Sequence, residues 1–129
     1  MSNGSLRKYR VALVGTGGIS RGHATACENL ERAELTAVCD VSSQAIERFT
    51  QQFSVPHVYS SLDEMLEADT YDIAVICLWG VLHAEAGIRL ASSGRVGAVP
   101  CEKPFTQSAA EARAFVAACR EHGVSVAEA

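Results

Sequence analysis

The sequence predicts an α/β fold: a parallel sheet covered on both faces by helices, built as one domain over residues 9–129. Three observations carry this reading. Apolar, β-branched runs alternate with helix-periodic segments along the whole chain, the pattern of parallel strands joined by crossover helices. The first such run, Tyr9 to Val14, passes directly into a glycine cluster, Gly15-Thr16-Gly17-Gly18-Ile19-Ser20. The second, Leu35 to Cys39, ends on an acid, Asp40. Strand, glycine turn, helix, strand and terminal acid, in that order, specify a Rossmann-type, doubly wound sheet.

Residues 1–8 read as a polar lead-in, with Leu6 as the one apolar side chain besides Met1. Tyr9 to Val14 is rich enough in Val and Leu for a buried strand. A helix is expected from Arg21 to Arg32, then the strand Leu35 to Cys39. Ser42-Ser43 offers an N-cap to a helix that places Ala45, Ile46, Phe49 and Phe53 on one face and stops at Pro56. His57-Val58-Tyr59 has room only for a short edge strand. Ser61-Leu62-Asp63-Glu64 is a capping box that opens a short helix burying Leu62, Met65 and Leu66. Ile73 to Leu78 is the most apolar strand, and the helix from Leu82 to Ser93 ends at Gly94. Arg95 to Cys101 makes a weaker strand, interrupted by Gly97 and Pro100. A second capping box, Ser108-Ala109-Ala110-Glu111, starts a helix whose inner face carries Ala112, Phe115, Val116 and Cys119. Gly123 ends it, and Val124 to Ala127 begins a final strand whose edge is expected to be exposed and open to self-association.

A net charge of −4 and a pI near 5.5 give no footprint for nucleic acid or an anionic membrane surface. No apolar run is long enough to span a bilayer. Five cysteines, an odd number without a C-x-x-C pair, read as small buried side chains of a cytoplasmic protein. A reactive thiol beside a ligand stays open as a second reading. No His, Cys, Asp or Glu spacing suggests a metal site.

The glycine cluster is the candidate site. Gly15 permits the tight turn, and Gly17, with Thr16, Gly18 and Ile19 beside it, lets the backbone approach a pyrophosphate. The helix N-terminus that follows offers free N–H groups and a positive dipole end. Ser20 replaces the third glycine of G-x-G-x-x-G and is small enough for close helix–strand packing. Asp40 stands where a carboxylate accepts from the ribose hydroxyls of an adenosine. That carboxylate, followed by Val41-Ser42-Ser43 without a cation, favours NAD over NADP. Ligands of such sheets bind beyond the carboxyl ends of the strands, where Trp79-Gly80 and Glu102-Lys103 also fall. Lys103 there could assist proton transfer at a substrate hydroxyl. Glu102 either orients it or touches the cofactor. His83 opens a helix and either turns its ring to the cleft or is structural, while His23 packs or caps. Trp79 either stacks on the nicotinamide or anchors its loop.

Val11 to Val126 resembles the Gfo/Idh/MocA oxidoreductases, a family that includes glucose–fructose oxidoreductase and inositol dehydrogenase. The resemblance is carried by Val-Gly-Thr-Gly-Gly-Ile with His23-Ala24, by Cys39-Asp40, by Ile76-Cys77 with His83-Ala84-Glu85, and most specifically by Cys101-Glu102-Lys103-Pro104. It implies an NAD(P)-dependent dehydrogenase of sugars or cyclitols in which Lys103 is catalytic and Glu102 and the region Leu78 to His83, Trp79 included, contact the cofactor. Leu78-Trp79-Gly80 departs from the family's Thr-Pro-Asn-like turn, and the passage from Gly94 to Pro100 is longer than the family's. Members carry a further α+β domain that supplies the substrate pocket. The resemblance therefore implies that this chain is the cofactor domain, inactive alone. A non-catalytic dinucleotide-binding sensor or regulatory module is the alternative.

Overall fold

The structure, a computed structural model, describes residues 7–129. Of the expected lead-in, only Arg7 and Lys8 fall within the described residues. Six strands form one parallel sheet in the order β3-β2-β1-β4-β5-β6. In chain order the elements are β1 (Tyr9–Val14), α1 (Ser20–Asn29), β2 (Ala33–Cys39), α2 (Ser43–Gln52), β3 (His57–Tyr59), α3 (Leu62–Ala68), β4 (Tyr71–Ile76), α4 (His83–Ser92), β5 (Val96–Cys101), α5 (Ala109–Glu121) and β6 (Ser125–Glu128). A single 3-10 turn, Gly80–Leu82, leads into α4.

Strand side chains alternate between faces, and the sheet sorts its apolar residues accordingly. Val11, Leu13, Val38 and Val75 face Phe49 and Phe53 of the α2 segment. Ala12, Val14, Ala37 and Ile76 face the other way, onto Leu90 and Phe115. Burial on both faces is why β1 and β4 read as continuous apolar runs. On the second face α4 and α5 approach so closely that a Cβ on Gly87 would lie 2.2 Å from Phe115 Cζ.

The expected caps form, with one shift. Ser42, Ser61 and Ser108 Oγ accept from the N–H groups of Ala45, Glu64 and Glu111, each at 3.1 Å. The reciprocal arm of each capping box reaches one residue further back than the pattern specifies. Glu64 accepts from Ser60 N (3.1 Å) and Glu111 from Gln107 N (2.9 Å). β5 forms despite Gly97 and Pro100. Gly97 lies close against β4 there, since a Cβ would sit 3.0 Å from the Asp72 carbonyl.

All five cysteines are free, and all but Cys27 are buried. Burial pushes the thiols of Cys39, Cys77 and Cys101 up to about 12. Burial and this upward push count against a reactive thiol at those three. Among the described residues, no helix is long and apolar enough to cross a membrane, and no group of three His, Cys, Asp or Glu side chains could hold a metal ion.

Candidate functional site

Sheet order reverses between β1 and β4, and the loops that follow those strands open a crevice at the carboxyl edge. Gly15 makes the first turn with φ +103°, its N–H donating to the Cys39 carbonyl at 2.8 Å. A Cβ at this position would lie 2.6 Å from the Cys77 carbonyl oxygen. Only glycine fits.

Thr16 follows, and its side chain turns inward. It is 2% exposed, and its N–H and hydroxyl both donate to Asp40 Oδ2 at 2.9 Å. Asp40 Oδ1 accepts from Ser42 N at 2.9 Å. The carboxylate thus fixes the glycine loop against β2 and keeps lone pairs for a further donor, since two oxygens offer about four acceptor sites. The sequence pattern singled out Thr16 as a cofactor contact, but its hydroxyl is already used by Asp40.

Gly17, Gly18 and Ile19 are exposed. A Cβ on Gly17 or Gly18 would meet no protein atom within 4 Å, so the protein's own packing does not require glycine at either position. Ser20 is fully buried, and its hydroxyl donates to the Gly17 carbonyl at 2.5 Å, closing the turn where the motif usually has its third glycine. Helix α1 has no side-chain cap, whereas serines cap α2, α3 and α5. An uncapped helix start beside open glycines suits a phosphate group.

A cleft of about 490 Å³ runs from Gly15, Gly17, Gly18 and Ile19 to Asp40, Val41, Ser42 and Ala45, with Cys77, Leu78, Trp79 and Leu82 opposite. Trp79 is 82% exposed, so it does not anchor its loop. It shares this cleft with the glycine loop and Asp40. Leu82 falls within the region Leu78 to His83 that the resemblance implicated, and Val41 and Ser42 enter the sequence reading only through the missing cation and, for Ser42, as a helix cap. Ala45 is the cleft residue the sequence reading assigned to a helix face alone.

Lys103 is exposed at the end of β5, beyond the switch point from Asp40. Three strand spacings, roughly 14 Å, separate the ends of β2 and β5. Next to Lys103, the largely buried Glu102 carboxylate meets His23 Nε2 at 2.5 Å. This pair was not visible in sequence. His83 differs from the reading that turned its ring to the cleft. It is 0% exposed, with Nδ1 2.7 Å from the Pro104 carbonyl and Nε2 2.8 Å from the Leu78 carbonyl. Its ring ties the β4 and β5 loops together, so any influence on a cofactor passes through those loops.

Comparison with known proteins fits this geometry. Residues 9–129 match the family model described as an oxidoreductase family with an NAD-binding Rossmann fold. The chain is 34% identical to D-apiose dehydrogenase of Paraburkholderia graminis over 93% of its length and 32% of that protein's. It is 30% identical to scyllo-inositol 2-dehydrogenase (NADP(+)) of Bacillus subtilis, over 93% of this chain and 36% of the relative. Among solved structures, the WlbA dehydrogenase of Bordetella pertussis, in complex with NADH and UDP-GlcNAcA, superposes with a TM-score of 0.89 at 33% identity, covering 95% of this chain and 37% of that one. The chain spans about a third of the length of these relatives. It belongs to the Gfo/Idh/MocA oxidoreductase family, whose NAD-binding Rossmann domain it contains.

Proposed function

We propose that the cleft binds NAD and that the domain presents the nicotinamide to Lys103 for hydride transfer at a sugar or cyclitol hydroxyl. Two of the relatives are named for a sugar, D-apiose, and a cyclitol, scyllo-inositol, which supports the substrate class. Gly17, Gly18 and the start of α1 hold the pyrophosphate; Asp40 accepts from the adenosine ribose; Val41, Leu78 and Trp79 flank the adenine. Bound there, NAD would supply the hydride acceptor for the alcohol carbon. Lys103 Nζ takes the hydroxyl proton as the C–O bond becomes a carbonyl, and returns it in the reverse direction.

Asp40 carries the choice of NAD. Its carboxylate, pinned by Thr16 and Ser42, cannot swing aside for a 2′-phosphate, and Val41-Ser42-Ser43 brings no cation to offset the repulsion. Calorimetric titration of both cofactors into the chain and into Asp40→Ala tests this. The expected result is NAD binding at least about tenfold tighter than NADP, a difference of about 1.4 kcal/mol, with the gap closing in the variant. Tighter NADP binding by the unsubstituted chain would refute it.

All these contacts lie on one edge of one sheet, and none of them holds a substrate carbon against the nicotinamide. Such positioning supplies about 7–11 kcal/mol of barrier lowering. The 129-residue chain alone is therefore expected to bind cofactor and not turn over. An absorbance assay for reduced nicotinamide across sugars and inositols checks this, and turnover above a Lys103→Ala control would contradict it.

A further inference from the structure

Given Lys103 as the group that meets the nicotinamide, we propose that His23 is a positioning residue: through Glu102 it holds the lysine loop in register with the glycine loop. The observation is the 2.5 Å contact between His23 Nε2, on the first turn of α1, and Glu102 Oε2, at the end of β5. A carboxylate accepts, so Nε2 donates. The two residues are 79 positions apart, and the bond joins the helix that begins at the candidate phosphate site to the residue next to the catalytic candidate.

The other flank of Lys103 is already fixed. His83 Nδ1 lies 2.7 Å from the Pro104 carbonyl and 3.2 Å from that of Phe105. The Phe105 ring stacks on buried Phe115 with centroids 4.8 Å apart. Lys103 itself is exposed and, among the described residues, makes no ion pair. A long side chain with no partner of its own is aimed by its backbone, and that backbone is held at Pro104 and Phe105 on one side. On the other side β5 ends at Cys101, and the Glu102 side chain is held by His23. The Glu102 N–H also donates to the Ile76 carbonyl at 3.1 Å, which ties the backbone to β4. Without the His23 bond the Glu102 side chain loses its tie to α1, and the lysine samples more directions. Misplacement by an ångström at a reacting centre is enough to cost rate.

The chain's two lysines, Lys8 and Lys103, make a direct test possible. Reductive 13C-dimethylation labels both without removing their charge, and Lys8 serves as the internal control. NMR spectra of the chain are recorded with and without saturating NAD, together with the amide signals of Gly15 to Ile19. NAD is expected to shift the Lys103 signal and the glycine-loop amides and to leave Lys8 in place. In His23→Phe, which fills the space without a donor, the Lys103 shift is lost while the glycine-loop shifts persist. In His23→Gln, which can still donate to Glu102, the Lys103 shift returns. A merely structural loss would move all the signals together. A Lys103 shift retained in His23→Phe would overturn the positioning role. Glycine-loop shifts with a silent Lys103 in the unsubstituted chain would overturn it together with the placement of Lys103. Silent glycine-loop amides would instead refute the dinucleotide reading itself.

Discussion

Lys103→Ala, made in an enzyme that joins this domain to a substrate-holding one, is expected to lower kcat by about 10²–10⁴. Its effect on NAD affinity should stay within a few-fold. The asymmetry follows from where the lysine stands. Asp40 and the glycine loop lie in the 490 Å³ cleft, and Lys103 is not among that cleft's lining residues. In the proposed reaction the cation would therefore serve the reacting oxygen more than the adenosine or the pyrophosphate. Steady-state kinetics with a parallel binding titration separates the two. Turnover unchanged, with affinity lost, would make Lys103 a binding residue only.

Gly15→Ala is expected to be the most destabilising single change in the site. Its φ of +103° is closed to side-chain-bearing residues, which alone costs on the order of 1–3 kcal/mol. The added methyl would also meet the Cys77 carbonyl oxygen at 2.6 Å. That carbonyl cannot retreat cheaply, because the Cys77 N–H donates to the Val14 carbonyl at 2.8 Å within the sheet. The melting temperature should fall by roughly 10–20 °C for a loss of a few kcal/mol in a domain of this size. Gly94→Ala is the control: φ is again positive, +71°, but the Cβ meets nothing within 4 Å. It should cost only about 1 kcal/mol. Equal melting points for the two variants would show that the Cys77 contact does not matter.

The stretch from Tyr9 to Asp40 was legible because its signals are local. An apolar run buried on both faces, a glycine that the turn requires and an acid at the next strand end can each be read without knowing what packs against them. The caps were legible for the same reason, although the extra reach of Glu64 and Glu111 to Ser60 and Gln107 was not. β5 was harder to read, since Gly97 looks like a strand breaker until the Asp72 carbonyl beside it is seen. Side-chain direction was the least legible feature. His23 and Glu102 meet across 79 residues, and nothing in either one's neighbourhood announces the other. The inward turn of His83 depends on carbonyls of two separate loops. Trp79 gave no local cue either, because an exposed loop tryptophan and a buried anchor look alike in sequence.

The central claim is that the glycine loop carries the pyrophosphate of a dinucleotide, and Gly17→Ala tests it most directly. A methyl there meets no protein atom within 4 Å, so the fold has no reason to object. A phosphate lying against the backbone does. Trp79, the single tryptophan, lines the same cleft and reports binding by its fluorescence. Titration of NAD into the chain and into Gly17→Ala is expected to give saturable quenching in the first. In the second, affinity should be weaker by about tenfold or more, a loss of about 1.4 kcal/mol, with an unchanged melting temperature. Equal NAD affinity in the two proteins, or no saturable response in the unsubstituted chain, would contradict the account.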